Sequence, residues 1–277
     1  MSNRDIGATF RDLHRKGDPF ILANAWDIGS ARVLAALGAQ AIGTSSAAHA
    51  FTLGLPDGGH VSRDQALAHA QDLVAATNLP VSGDFENGFG HTPEDCAETV
   101  RLSAEAGLAG ISIEDAALPD DSAYDFDHAV ERIAAAVAAA RALPRDFVLV
   151  ARADGIMNGH YDTDEAIRRL LAFQEVGADC LYAPLPPDMA AQARICAALH
   201  RPVNALAAGA FTAHSKAEFA AIGVARISLG SALARRTHHA LLDAARPMFA
   251  AGDFSHLQPT VGSSVIDPLL IQGARDG

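Results

Sequence analysis

Carboxylates recur where short apolar runs end. Asp84 and Glu86 follow one such run in V-S-G-D-F-E-N-G-F-G, and Glu114 and Asp115 close another in G-I-S-I-E-D. A strand that delivers an acid at its C-terminal end is a common way for α/β enzymes to build a metal site. Asp84, Glu86 and Glu114 make an all-oxygen set that suits Mg²⁺, or Mn²⁺, rather than Zn²⁺. Mg²⁺ keeps several waters, so few direct carboxylates are expected, the others acting through water. Any one of these acids could instead cap a helix or pair with an arginine. Three on neighbouring strand ends favour a metal.

Other polar residues fall at similar places. They are Asn24, Trp26 and Asp27; Thr44, Ser45 and Ser46; Arg152 and Asp154; Tyr182; and Asn204, with Asp57 in the loop L-G-L-P-D-G-G-H. Arg152 closes V-L-V-A-R, where it is either a bidentate clamp for a substrate carboxylate or a structural partner of the acids. Ser45 and Ser46 offer hydroxyls and backbone N–H groups on a tight turn that can hold a carboxylate. Gly230 and Ser231 open the last long helix, a phosphate position in many barrels, although Ser231 reads first as a helix cap. His49, His60 and His91 lie in loops without metal-ligand spacing, and neither a Ser-His-Asp nor a Cys-His arrangement can be read.

Repeating β-α units would position these side chains. Gly38, Gly107, Gly177 and Gly223 each end a helical segment and precede a β-rich run, the αβ junction of a parallel sheet. Four further runs are entered at or near Pro. Together they give eight strands near residues 20–25, 40–45, 80–84, 109–114, 147–152, 179–183, 202–206 and 225–229. Ser62 with Gln65 reads as a capping box, and Thr92 with Pro93 as an N-cap followed by Pro at N1. Eight evenly alternating units in about 250 residues predict a (β/α)8 barrel, a TIM barrel, rather than a doubly wound sheet. The whole chain, 1–277, reads as a single domain. Residues 231–250 form a long helix and 255–277 an extra tail, so that 231–277 is a C-terminal helical extension.

The formal net charge of −12 argues against nucleic acid as a partner, because an acidic chain repels the phosphate backbone. Three Cys, at 96, 180 and 196, match no zinc motif, and their odd count argues against a disulfide framework. No apolar leader or membrane-length run is present, so a cytoplasmic protein without a membrane partner is expected.

Five motifs, in order at matching strand ends, resemble the isocitrate lyase/phosphoenolpyruvate mutase superfamily from about Phe20 to Ser231. T-S-S at 44–46 resembles its substrate-carboxylate loop and L-G-L-P-D at 53–57 its gating segment. G-D-F-E-N-G-F-G at 83–90 is similar to its metal motif, with Glu86 in place of the second Asp. S-I-E-D at 112–115 and V-A-R at 150–152 resemble its metal-proximal acid and its substrate Arg. The resemblance implies Mg²⁺, an α-oxo or α-hydroxy carboxylate substrate, and a last helix swapped between subunits of a dimer or tetramer. It also implies that Asp84, Glu86 and Glu114 hold the metal and its waters. Trp26, Thr44, Ser45, Ser46, Arg152 and Asn204 would bind substrate, with Asp57, Arg152 and Glu114 catalytic. An enolate would be stabilised by Lewis-acid catalysis as a bond to C3 breaks or forms.

The chain departs from that pattern in one loop. The lyases' K-x-C-G-H and the mutases' Lys and Asn are absent from 116–127, leaving Asp120, Asp121 and Tyr124 as titratable candidates. The leading expectation is a Mg²⁺-dependent carbon–carbon lyase. The alternatives are phosphonopyruvate hydrolase or phosphoenolpyruvate mutase-type chemistry, and an oxo-acid-binding barrel with little turnover.

Overall fold

Eight strands close into a parallel barrel: β1 (Phe20–Asn24), β2 (Ala41–Gly43), β3 (Val81–Asp84), β4 (Gly110–Glu114), β5 (Val148–Arg152), β6 (Cys180–Tyr182), β7 (Val203–Leu206) and β8 (Arg226–Ser228). Each strand pairs in parallel with the next, and β8 returns to β1 through Phe20 opposite Arg226. The structure is a computed structural model that describes residues 5–120 and 122–274. Asp121 and residues 275–277 of the expected extension lie outside the described residues.

The barrel and its junctions follow the sequence pattern. Gly38, Gly107, Gly177 and Gly223 have φ of +97°, +90°, +104° and +88°, left-handed values that glycine adopts without a Cβ penalty. Ser62 and Gln65 form the expected capping box of α4 (Arg63–Ala76), and Thr92 caps α5 (Pro93–Glu105) with Pro93 in its first turn. Ser231 corrects the expectation made for it. It precedes α10 (Ala232–Ala251) but makes no side-chain cap hydrogen bond. Its Oγ instead accepts from Arg235 Nε at 2.9 Å.

Two apolar layers hold the site's scaffold. Ile42, Ile111, Ile113, Leu149 and Leu181 point outward from the strands and pack under the helices. Leu22, Val148, Val150 and Tyr182 fill the barrel itself. The first helix, α1 (Ile6–Asp12), closes the end where strands begin, with Phe10 fully buried against that inner layer. A Cβ on Gly7 would lie 1.8 Å from the Asp146 carbonyl oxygen, so only glycine allows this approach. At the chain's other end, α11 (Ser263–Gln272) docks on α2 (Ile28–Ala36). Most of α10 stands in solvent, exposing Leu241, Leu242 and Phe249. No described helix is long and apolar enough to cross a membrane.

Candidate active site

The strand ends bring the expected acids together around a guanidinium. Arg152, the last residue of β5, points its Nη1 to Asp84 Oδ1 at 2.6 Å and its Nη2 to Asp154 Oδ2 at 2.6 Å. Its Nη2 also lies 3.1 Å from Glu114 Oε2. Burial opposes the arginine's charge, but Asp154, Glu114 and Asp84 outweigh it and raise its pKa well above the ordinary value. Of the two readings of Arg152, this arrangement is the structural partner of the acids. The residue nevertheless lines the mouth.

Asp84 is held from β2's side as well. Thr44 Oγ1 accepts from the Asp84 backbone N–H at 2.7 Å. The Ser46 N–H and hydroxyl both donate to Asp84 Oδ2, at 3.0 and 2.8 Å. Ser45 caps α3 (Ser46–Thr52), accepting from the Ala48 N–H. The T-S-S turn is thus committed to shaping the site while lining its cavity.

Glu86 sits in the irregular stretch after β3 with φ +45°, and Phe89 follows at φ +58°. Such values are strained for residues with a Cβ and persist only where surroundings enforce them. Here the Glu114 N–H donates to the Glu86 carbonyl at 2.9 Å, and Arg132 Nη1 donates to the Gly90 carbonyl at 2.8 Å. Arg132 also donates to the Asn87 carbonyl. The Gly59 N–H donates to Glu86 Oε1 at 3.1 Å. Burial, opposed by Gly59 and reinforced by Asp84 and Asp57, pushes the Glu86 carboxyl up to about 7. Burial also raises Glu114, and it raises Asp154 to about 6 despite Arg152.

Two adjoining cavities of about 140 and 320 Å³ form the mouth and share Ser46, Asp57, Arg152 and Met157. Thr44, Ser45 and Asp84 face the smaller; Glu86, Glu114 and Asp154 face the larger. Asp57 spans both, and burial followed by Asp84 raises its pKa.

Not every expected residue converges here. Trp26 lines a separate cleft with Ile28, His49 and His69, because Asp27 caps α2 and turns the chain outward. Asn204 lies fully buried beneath the mouth, its amide engaged by Ser228 and Arg226. Tyr124 turns away from the mouth to bond Asn87 and His91, and Asp120 is exposed. Asp115 faces outward, bound by Tyr161, Arg169 and the Asp154 N–H. Sequence reasoning passed over Gly59 and Arg226. Arg226 shares strand parity with the cavity-lining Ser228, a period-two signal that could have found it.

The family model for phosphoenolpyruvate phosphomutase matches residues 10–249. The chain belongs to this family, within the isocitrate lyase/phosphoenolpyruvate mutase superfamily. A Burkholderia cenocepacia J2315 structure described as a lyase/mutase is 47% identical, with a TM-score of 0.89 over 95% of this chain and 94% of its own. The 2-methylisocitrate lyase of Escherichia coli K12 is 31% identical, covering 74% of this chain and 71% of its own. An oxaloacetate decarboxylase of Chromohalobacter salexigens is 27% identical over 83% of this chain and 81% of its own. The named relatives are lyases and a decarboxylase, and the family model is that of a phosphomutase, which supports an enzyme.

Kinship in this superfamily implies a metal, and the residues were expected to hold it as Asp84, Glu86 and Glu114. Among the described residues no three His, Cys, Asp or Glu side chains group closely enough to hold an ion directly. Arg152 and Ser46 engage Asp84, Arg152 pairs with Glu114, and Gly59 binds Glu86. The three acids thus offer no ready-made direct cage, in keeping with the expectation of few direct carboxylates and the others acting through water. The donor chemistry still fits a hydrated Mg²⁺. Asp84, Glu114 and Asp154 crowd one guanidinium with Glu86 close by, and this excess of negative charge suits a divalent cation held partly through water.

Proposed function

We propose that the protein is a Mg²⁺-dependent lyase that breaks a carbon–carbon bond next to an α-oxo or α-hydroxy carboxylate. One observation carries the reading: Asp84, Arg152 and the Ser45–Ser46 turn meet around one half-open cavity at the strand ends. Asp84, Glu86 and Glu114 would hold the cation and its waters. When bound it supplies Lewis-acid charge at the substrate's oxygens. Ser45 and Ser46 orient the substrate carboxylate, and Arg152 balances charge beside it. Asp57 faces both cavities and is the candidate general base: it takes the C2 hydroxyl proton as the C2–C3 bond breaks and its electron pair moves to C3, and it returns that proton to C3. Leu118 and Pro119 line the larger cavity beside Asp57.

The test is release of oxo-acid from isocitrate, 2-methylisocitrate, other 2-substituted malates, oxaloacetate and phosphonopyruvate, each with Mg²⁺. Metal-dependent release without phosphate supports the lyase. Phosphate from phosphonopyruvate would replace it with the phosphonate reading. The exposed apolar residues of α10 suit a subunit interface in which that helix is exchanged between copies. A monomer by light scattering would contradict this.

A further inference from the structure

Behind the mouth lies a second layer of polar contacts. Asp115 follows β4 directly, faces away from both mouth cavities and is buried. Three donors converge on its carboxylate. The Asp154 backbone N–H reaches Oδ1 at 2.8 Å, the Tyr161 hydroxyl reaches Oδ2 at 2.7 Å, and Arg169 Nη1 reaches Oδ2 at 3.0 Å. Burial and then the Asp115 charge raise the Tyr161 phenol above its ordinary range, so its hydroxyl keeps the proton it donates. Arg169 belongs to the helix Thr163–Glu175 and also donates to the Tyr124 carbonyl at 2.9 Å, which ties that helix to the barrel. Tyr161, just ahead of the same helix, is placed differently.

It packs on the turn that carries Asp154. That turn is a short 3-10 helix, Asp154–Ile156, and its Gly155 carbonyl accepts from the His160 N–H at 2.7 Å. A Cβ on Gly155 would come within 2.1 Å of Tyr161 Cε1, so only glycine lets the ring lie there. Tyr161 therefore holds the turn twice, by its ring on Gly155 and by its hydroxyl through Asp115 on the Asp154 N–H. Asp154 is 0% exposed, and its carboxylate forks onto Arg152, accepting from Nε at 3.1 Å and from Nη2 at 2.6 Å. A two-bond fork sets the plane of a guanidinium as well as its distance. With that plane set, Nη1 points at Asp84. The fork holds its direction only while the Asp154 backbone is itself held.

We infer that Tyr161 is a positioning residue for the mouth: through Asp115 and the Asp154 backbone it fixes the direction in which Arg152 presents its guanidinium to Asp84 and to a bound carboxylate. Tyr161 lines neither mouth cavity, so it acts only through these partners. Its effect on a ligand rests on the oxo-acid site proposed above; its effect on Arg152 does not. Charge-assisted hydrogen bonds weaken steeply with misalignment, so a guanidinium free to tilt binds a carboxylate less well.

The first probe is oxalate, titrated calorimetrically into the full chain with Mg²⁺. Tyr161→Phe keeps the ring on Gly155 and removes the hydroxyl. It should weaken oxalate by on the order of tenfold, the low end for partners one layer behind a metal site. In an Asp154→Asn background, where the fork is already broken, the same change should weaken oxalate little further. Losses that multiply, or a Tyr161→Phe protein that binds oxalate like wild type, overturn the inference. The second probe is the Arg152 Nε–H resonance of the metal-free protein, assigned by its absence from Arg152→Lys. Its proton should exchange slowly with solvent in wild type and faster in Tyr161→Phe. Fast exchange in wild type, or no change in Tyr161→Phe, overturns the inference as well. Wild type that binds no oxalate would sink the oxo-acid reading, and the Arg152 resonance would still decide the role of Tyr161. If Tyr161→Phe melts early, Gly155→Ala takes its place: the added methyl displaces the ring, and Arg152 exchange as slow as in wild type refutes the inference.

Discussion

The two ends of the barrel treat their acids in opposite ways. Where strands begin, Arg11 reaches Asp146 and Asp179, both at 2.6 Å, and Arg141 adds a second arginine to Asp179. Hydrogen bonding from Arg11 holds the Asp146 carboxyl below its ordinary range. Where strands end, Arg152 serves Asp84, Glu114 and Asp154 at once, and among the described residues Glu86 forms no ion pair. Burial there raises Glu86, Glu114 and Asp154. One end is neutralised and structural; the other keeps unbalanced negative charge, the mark of a site that expects a positive partner.

The sharpest way to break this comparison is to remove one arginine from each end. Arg152→Met leaves buried acids unpaired and should cost about 3–5 kcal/mol in urea unfolding, with oxo-acid binding lost. Arg11→Met should cost about 1 kcal/mol or less, because the Arg11 side chain is 35% exposed and its ion pairs are screened. Similar losses at the two ends would erase the distinction.

Acid tests the closed end. His14 has a folded pKa of about 3 against 6.5 when free. The unfolded chain therefore binds its proton first. The stability His14 contributes is present above about pH 6.5 and is lost as pH falls toward about 3. His14→Phe should make the stability profile flatter across that window. An unchanged profile would show that His14 is not titrating as a buried neutral ring.

Glu86 tests the open end with the opposite sign. Its folded pKa of about 7 exceeds the ordinary 4.5. Its contribution is fully present below about 4.5 and is lost as pH rises through about 7. In metal-free protein, Glu86→Gln should gain on wild type across that rise. At neutral pH the variant should be equal or more stable yet bind Mg²⁺ with oxalate more weakly. A variant less stable than wild type at pH 8 would contradict the excess of charge.

Much of this was legible in the sequence, for physical reasons. Gly38 and its three counterparts mark helix ends because a left-handed residue is needed there, and the buried parallel strands read as apolar runs. The acids of the site were visible because strand ends place them. The rest depended on side-chain direction. Trp26 follows β1, but capping by Asp27 sends the chain away from the mouth. Glu114 and Asp115 are neighbours, yet one faces the mouth and the other binds Arg169. Tyr124 stands in a loop whose sequence fixes no direction, and Asn87 and His91 decide it. Arg226 opens a strand, where its charge resembles a solvated flank until barrel closure buries it.

The direct test of the central claim is the melting temperature with oxalate, with Mg²⁺, and with both, for wild type and Asp84→Asn. The expected result is a clear rise only when oxalate and Mg²⁺ are present together, and its loss in Asp84→Asn. An equal rise with oxalate alone, or no rise under any condition, would contradict a cation-completed oxo-acid site at the strand ends.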